Sequence, residues 1–133
     1  MNKIYNRTGL LVCLLASMVS LPAFADITGN WLSDKNKEGK QITVKIYNCG
    51  EEICGTITAV YNSDNDSIIG DEIIENMKKK NDVKYGGGRV YAPDTEKWYK
   101  SKIKVEDADT IKVSGCVAGG LICRSVIWRR VDG

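Results

Sequence analysis

The sequence predicts an all-β protein, a small antiparallel barrel or sandwich of about seven or eight strands, and three observations carry that expectation. Two cysteine pairs, Cys49 with Cys54 and Cys116 with Cys123, stand at hairpin spacing. Placing each pair face to face sorts apolar and polar residues onto opposite faces of its own hairpin. Short runs rich in Val, Ile, Thr, Tyr and Trp, separated by turn residues, recur along the chain with no long helical pattern between them.

The first hairpin, read with Cys49 opposite Cys54, pairs Ile46 with Ile57, Val44 with Ala59 and Ile42 with Tyr61. Its other face pairs Tyr47 with Thr56, Lys45 with Thr58 and Thr43 with Val60. The second, read with Cys116 opposite Cys123, sets Val113 against Val126 and Ile111 against Trp128, with Ser114 and Ser125 behind them. A one-residue slip would scramble both faces. The remaining strands run from Ile27 to Leu32, Val83 to Ala92 and Trp98 to Val105, the last two flanking the turn-forming Pro93-Asp94-Thr95-Glu96. Residues 62–70 are polar and turn-rich, a surface loop. Asp71 to Met77 fits either a short edge strand or one helical turn.

The first 25 residues read as a signal peptide. Lys3 and Arg7 give a positive start, Gly9 to Leu21 is apolar, and Ala23-Phe24-Ala25 matches a small-x-small cleavage site. Asp26 is then the mature N-terminus, and residues 26–133 form one domain. Cys13 lies mid-run after Val12, the wrong context for a lipid anchor, and the apolar run is too short to span a membrane. Four cysteines remain, two disulfides in a periplasmic or secreted protein. Lys3 and Arg7 are the leader's share of the 19 Lys+Arg, so the rest carries 17 against 17 Asp+Glu. That balance gives no reason to expect a nucleic-acid partner. Lys78-Lys79-Lys80 reads as a solvated turn.

The chain has no histidine. This excludes Ser-His-Asp and Cys-His nucleophiles and any imidazole base, and it weakens every zinc reading of the cysteines. Asp64-Asn65-Asp66 lacks the glycine and distal glutamate of a calcium loop, and Gly86-Gly87-Gly88 is not followed by the lysine and helix of a phosphate cradle. The expectation is a protein without enzymatic activity, cofactor or metal.

The middle hairpin is the candidate site. With Ala92 opposite Lys97, Val90 faces Tyr99, Gly88 faces Ser101 and Gly86 faces Ile103 on the inner side. Interior glycines leave room for a neighbouring backbone, a bend or a ligand. On the ligand reading Gly88→Val would fill that room and leave the fold intact. The outer side pairs Tyr91 with Trp98 and Arg89 with Lys100, an aromatic pair beside cations that suits an interface anchor or a cross-strand brace.

The chain ends suggest closure. Gly29-x-Trp31 opens the first strand and Trp128-Arg129-Arg130 lies in the last. In lipocalin-like barrels a Gly-x-Trp packs against an arginine of the final strand, so Arg129 or Arg130 is expected over the Trp31 ring. The motifs in order are Gly29-x-Trp31; Cys49-x-x-x-Ile53-Cys54-Gly55-x-Ile57; Gly87-Gly88-x-Val90-Tyr91-x-Pro93 with Lys97-x-Tyr99-Lys100-Ser101; and Gly115-Cys116, Cys123-Arg124-Ser125 and Trp128-x-Arg130. Together they resemble the small secreted bacterial proteins grouped as domain of unknown function 2147. Ala92 and Glu96 depart from that pattern, as does Asp71-Glu72. The resemblance implies export and a lipocalin-like barrel; it brings no catalytic residue.

Two functions are consistent with these residues. A monomeric envelope protein could hold a small apolar or amphipathic ligand inside the barrel, near Gly86, Gly88, Tyr99 and Ser101. Alternatively it could bind an envelope protein through Arg89, Tyr91 and Trp98.

Overall fold

A computed structural model describes residues 26–131; the leader assignment, with Cys13, lies outside them. Eight strands form one closed antiparallel meander: β1 (Gly29–Ser33), β2 (Gln41–Cys49), β3 (Glu52–Tyr61), β4 (Glu72–Lys79), β5 (Lys84–Ala92), β6 (Lys97–Asp107), β7 (Thr110–Val117) and β8 (Ile122–Val131). Each strand pairs with the next, and β8 returns to β1 with Trp31 opposite Arg130 and Ser33 opposite Trp128. The segment that fitted strand or helix is β4, because both its edges find partners in β3 and β5.

Side chains of alternating residues fill the barrel. Trp31, Val44, Ile46, Ile57, Ile74, Met77, Tyr85, Ile103, Val105, Ile111, Val113 and Trp128 are all buried in one cluster. The period-two burial of Ser101, Ile103 and Val105 on β6, with lysines between them, shows how the alternation sets the two faces.

Both disulfides form as paired, Cys49–Cys54 and Cys116–Cys123. The second hairpin has the expected register throughout: Ile111 faces Trp128, Val113 faces Val126 and Cys116 faces Cys123. The first differs. Cys49 faces Glu52 and Cys54 faces Tyr47, so the cysteines are joined diagonally. Gly50, at φ 74°, closes a two-residue link to Glu51 where a four-residue loop was expected. Short links with a glycine at positive φ match the twist of the flanking strands, and this turn overrides direct cysteine opposition.

The resulting shift is two residues, so the faces survive: Val44 and Ile46 now meet Ile57 and Gly55. A bulge between Thr43 and Val44 then moves the far end by one, setting Ile42 against Val60 and Gln41 against Tyr61. Each staple closes a small ring, worth about 2 to 2.5 kcal/mol in the chain-entropy model.

Candidate functional site

The two ends of the barrel differ. At one end, Trp31 is 0% exposed and its indole Nε1–H donates to the Ile27 carbonyl at 2.9 Å. Arg130, not Arg129, lies over the ring, 4.4 Å from its centroid. The guanidinium donates to the carbonyls of Thr28 (2.8 Å), Ala108 (3.0 Å) and Asp26 (3.1 Å). It therefore ties the N-terminal segment, the β6–β7 turn and β8 together. The Thr28 hydroxyl and N–H hold the Asp26 carboxyl below its ordinary range, while burial, and then the Asp26 charge, push the Tyr85 phenol up. Arg129 points away, donating to Asp34 at 2.6 Å.

The other end, the mouth, is rimmed by the β1–β2, β3–β4, β5–β6 and β7–β8 connections. The middle hairpin rises to it. Above Gly88 its register is the expected one: Gly88 faces Ser101, Arg89 faces Lys100, Val90 faces Tyr99 and Tyr91 faces Trp98. Below it, the register shifts and Tyr85, not Gly86, faces Ile103. A Cβ on Gly86 would meet only the Lys80 side chain, at 3.5 Å, so this glycine does not open space inside the barrel.

Gly88 does not leave room either. A Cβ there would lie 2.7 Å from Met77 N and 2.8 Å from Asn76 C, and closer still to Glu75 O. Asn76 has φ 57°, and the backbone of β4 presses against Gly88 at this point. Of the three readings open for an interior glycine, close approach of a neighbouring backbone is the one observed here.

Ser101, between Gly88 on β5 and Gly115 on β7, is 2% exposed. Its hydroxyl has no hydrogen-bond partner among the described residues. Around and above it, Val90 and Tyr99 are half-buried, as are Ile42, Val60 and Ile68 elsewhere in the barrel wall and β3–β4 loop. The Tyr99 side chain covers Gly115 and its phenol meets the Thr95 hydroxyl at 2.9 Å on the rim. Val126, opposite Val113, is accessible.

On the outside of the hairpin, Arg89 is stacked 4.7 Å from the Trp98 ring centroid and ion-paired to Glu75. Tyr91 and Trp98 lie 5.4 Å apart, and Tyr91 also packs on the core. Glu75, Arg89, Trp98 and Tyr91 thus form one continuous group across three strands. A separate open depression of about 640 Å³ lies away from the hairpin, on the outer face of β1–β3, lined by Leu32, Thr43, Ala59, Tyr61 and Val131 among others.

Pairing also assembles a feature the linear sequence hides. Lys84 faces Lys104, and Lys104 faces Lys112, giving three cations in one row across β5, β6 and β7. Lys100 and Lys102 share that outer face of β6. The only linear signal was the alternation Lys100, Lys102, Lys104.

The family model described as uncharacterized protein conserved in bacteria (DUF2147) matches residues 29–130. Among solved structures, a protein from the human pathogen Helicobacter pylori, described as belonging to the lipocalin family, is similar in fold. It shares 12% sequence identity at a TM-score of 0.67, over 81% of this chain and 84% of that one. No curated protein matches the sequence.

Proposed function

Since the chain belongs to this bacterial family and has a lipocalin-like barrel, we propose that it is an exported, non-catalytic binding protein that holds a small, largely apolar ligand in its mouth. The observation that carries this reading is the Ser101 hydroxyl. A buried hydroxyl without a partner costs about 1–3 kcal/mol, and a ligand carrying one hydrogen-bonding atom would remove that cost. Apolar side chains on the wall, Val90, Tyr99 and Val126, suit the rest of such a ligand. The lower barrel is filled by Trp31, Trp128, Tyr85 and the isoleucines, so the ligand sits shallowly, near the rim. Two disulfides accord with export.

Native mass spectrometry of protein purified from its own envelope is the direct test, with an apolar fluorescent naphthylamine as a surrogate in titration. Ser101→Ala should stabilise the empty barrel by about 1 kcal/mol or more, because it deletes the unpaired group, and should weaken probe binding about fivefold or more, the scale of a lost hydrogen bond. A destabilised Ser101→Ala, with probe binding unchanged, would remove the basis of the reading. If a retained protein were found instead, and Trp98→Ala released it, the outer face of the hairpin would be the site.

A further inference from the structure

We propose that the tip of the β7–β8 hairpin, backed by the lysines of β6 and β7, docks onto an anionic lipid leaflet. The tip carries the most exposed apolar residues among those described: Leu121 at 87%, Ile122 at 63% and Val117 at 46%. Val117 and Ile122 are the last pair of the hairpin, and Cys116–Cys123 is the pair beneath them. The staple therefore holds these apolar side chains out in a fixed arrangement. Nothing among the described residues covers them, and a contiguous exposed apolar patch marks an interaction surface.

Charge identifies the partner. Lys100 faces Cys116 and Lys102 faces Ser114 on the outer face, while Arg124, opposite Gly115, lies one residue past the staple on the inner face, so cations flank the tip on both faces of the sheet. Lys104, Lys112 and Lys84 continue the outer face of Lys100 and Lys102 down the barrel. Among the described residues none of these six is ion-paired; the salt bridges lie elsewhere, at Lys40, Lys78, Lys79, Arg89, Arg129 and Arg130.

Like charges directly opposite one another destabilise a sheet, so the Lys84–Lys104–Lys112 row works against stability. An anionic surface would offset that repulsion. The β3–β4 loop, with Asp64, Asp66 and Asp71, lies across the barrel, while the adjoining β5–β6 turn carries Asp94 and Glu96 beside Lys97. The barrel would accordingly lie tilted on its β6–β8 side. Apolar side chains at a tip with basic side chains behind them are the chemistry of a leaflet: the tip enters the acyl boundary and the lysines stay among the phosphates.

A second copy of this chain is the competing occupant, because β1 and the Asp34 N–H engage β8 only over residues 127–131, and residues 122–126 of β8 pair with β7 alone among the described residues. Antiparallel pairing of two copies over residues 122–126 would centre on Arg124 and oppose it to itself, which disfavours that arrangement.

Flotation of the purified protein with phosphatidylethanolamine–phosphatidylglycerol vesicles, against phosphatidylcholine vesicles, tests the proposal. Binding is expected to the first and not the second, and to weaken with added salt. Leu121→Asp with Ile122→Asp, both at exposed positions, should lower binding at least tenfold without changing the melting temperature. Lys100→Gln with Lys102→Gln should lower it about fivefold per charge removed. Failure of the wild type to float with anionic vesicles would overturn the proposal. So would binding that the tip variant leaves intact. A wild-type dimer that the tip variant converts to monomer, with no vesicle binding, would assign the tip to a second copy.

Discussion

Gly88→Ala is expected to destabilise the barrel strongly, not to block a binding site. The added Cβ would meet Met77 N at 2.7 Å and Asn76 C at 2.8 Å, both main-chain atoms held by β4–β5 pairing on either side of Gly88. A flexible side chain could swing away from such an intrusion; a strand in the middle of a closed sheet cannot. Overpacking against fixed backbone should cost roughly 3 kcal/mol or more for alanine. Valine should leave little folded protein, since the total stability of such a domain is on the order of 5–15 kcal/mol. Gly86→Ala is the internal control. Its Cβ would make an ordinary 3.5 Å contact with the movable Lys80 chain, and it should fall within about 0.5 kcal/mol of wild type. Urea unfolding of the two variants measures the contrast. Equal, small effects at both positions would mean that β4 can retreat from Gly88 and that the close approach is incidental.

Trp31→Ala should be the most damaging change at the sealed end, costing about 3–5 kcal/mol. The indole is fully buried, donates a hydrogen bond to Ile27 and supports the guanidinium of Arg130. Arg130→Met keeps the aliphatic stem but abandons the carbonyls of Asp26, Thr28 and Ala108. Its expected cost is about 1.5–3 kcal/mol. The two losses should not add: a double-mutant cycle is expected to give a coupling of about 0.5–2 kcal/mol, from the stacked cation and the shared tether on the N-terminal segment. Strict additivity would show that ring and guanidinium act independently.

The amount of this architecture legible in the sequence varied by hairpin, for identifiable reasons. In the second, the cysteines face each other directly and no bulge intervenes, so alternation alone determined every pair from Ile111–Trp128 to Cys116–Cys123. In the first, the cysteines are diagonal because Gly50 permits a shorter link; the face assignment survived only because the slip was even. In the middle hairpin the register held down to Gly88 and failed at Gly86, where three successive glycines give the pattern no side chains to report. Ser101 was already among the candidate residues, but its orphaned hydroxyl depends on what three strands place around it. The lysine row is invisible for a related reason: Lys84, Lys104 and Lys112 are neighbours only through pairing.

The order of the sheet has a consequence for kinetics. Every pair of neighbouring strands is also consecutive in the chain, except β8 and β1. Seven pairings can therefore form by closing short loops, at low entropic expense, and almost all of the long-range expense falls on one seam. That seam is also a short pairing, four residues of β1 against β8, with Arg130 as its clasp. The seam closes the barrel at equilibrium, and it is also the preferred line along which the barrel opens. Hydrogen exchange should find the β1 amides exchanging ahead of those in β6, the longest strand, flanked by paired neighbours on both sides. Uniform exchange around the barrel would mean that it opens only as a whole. A seam that parts first would expose the Trp31 side of the core before the stapled hairpins lose their pairing.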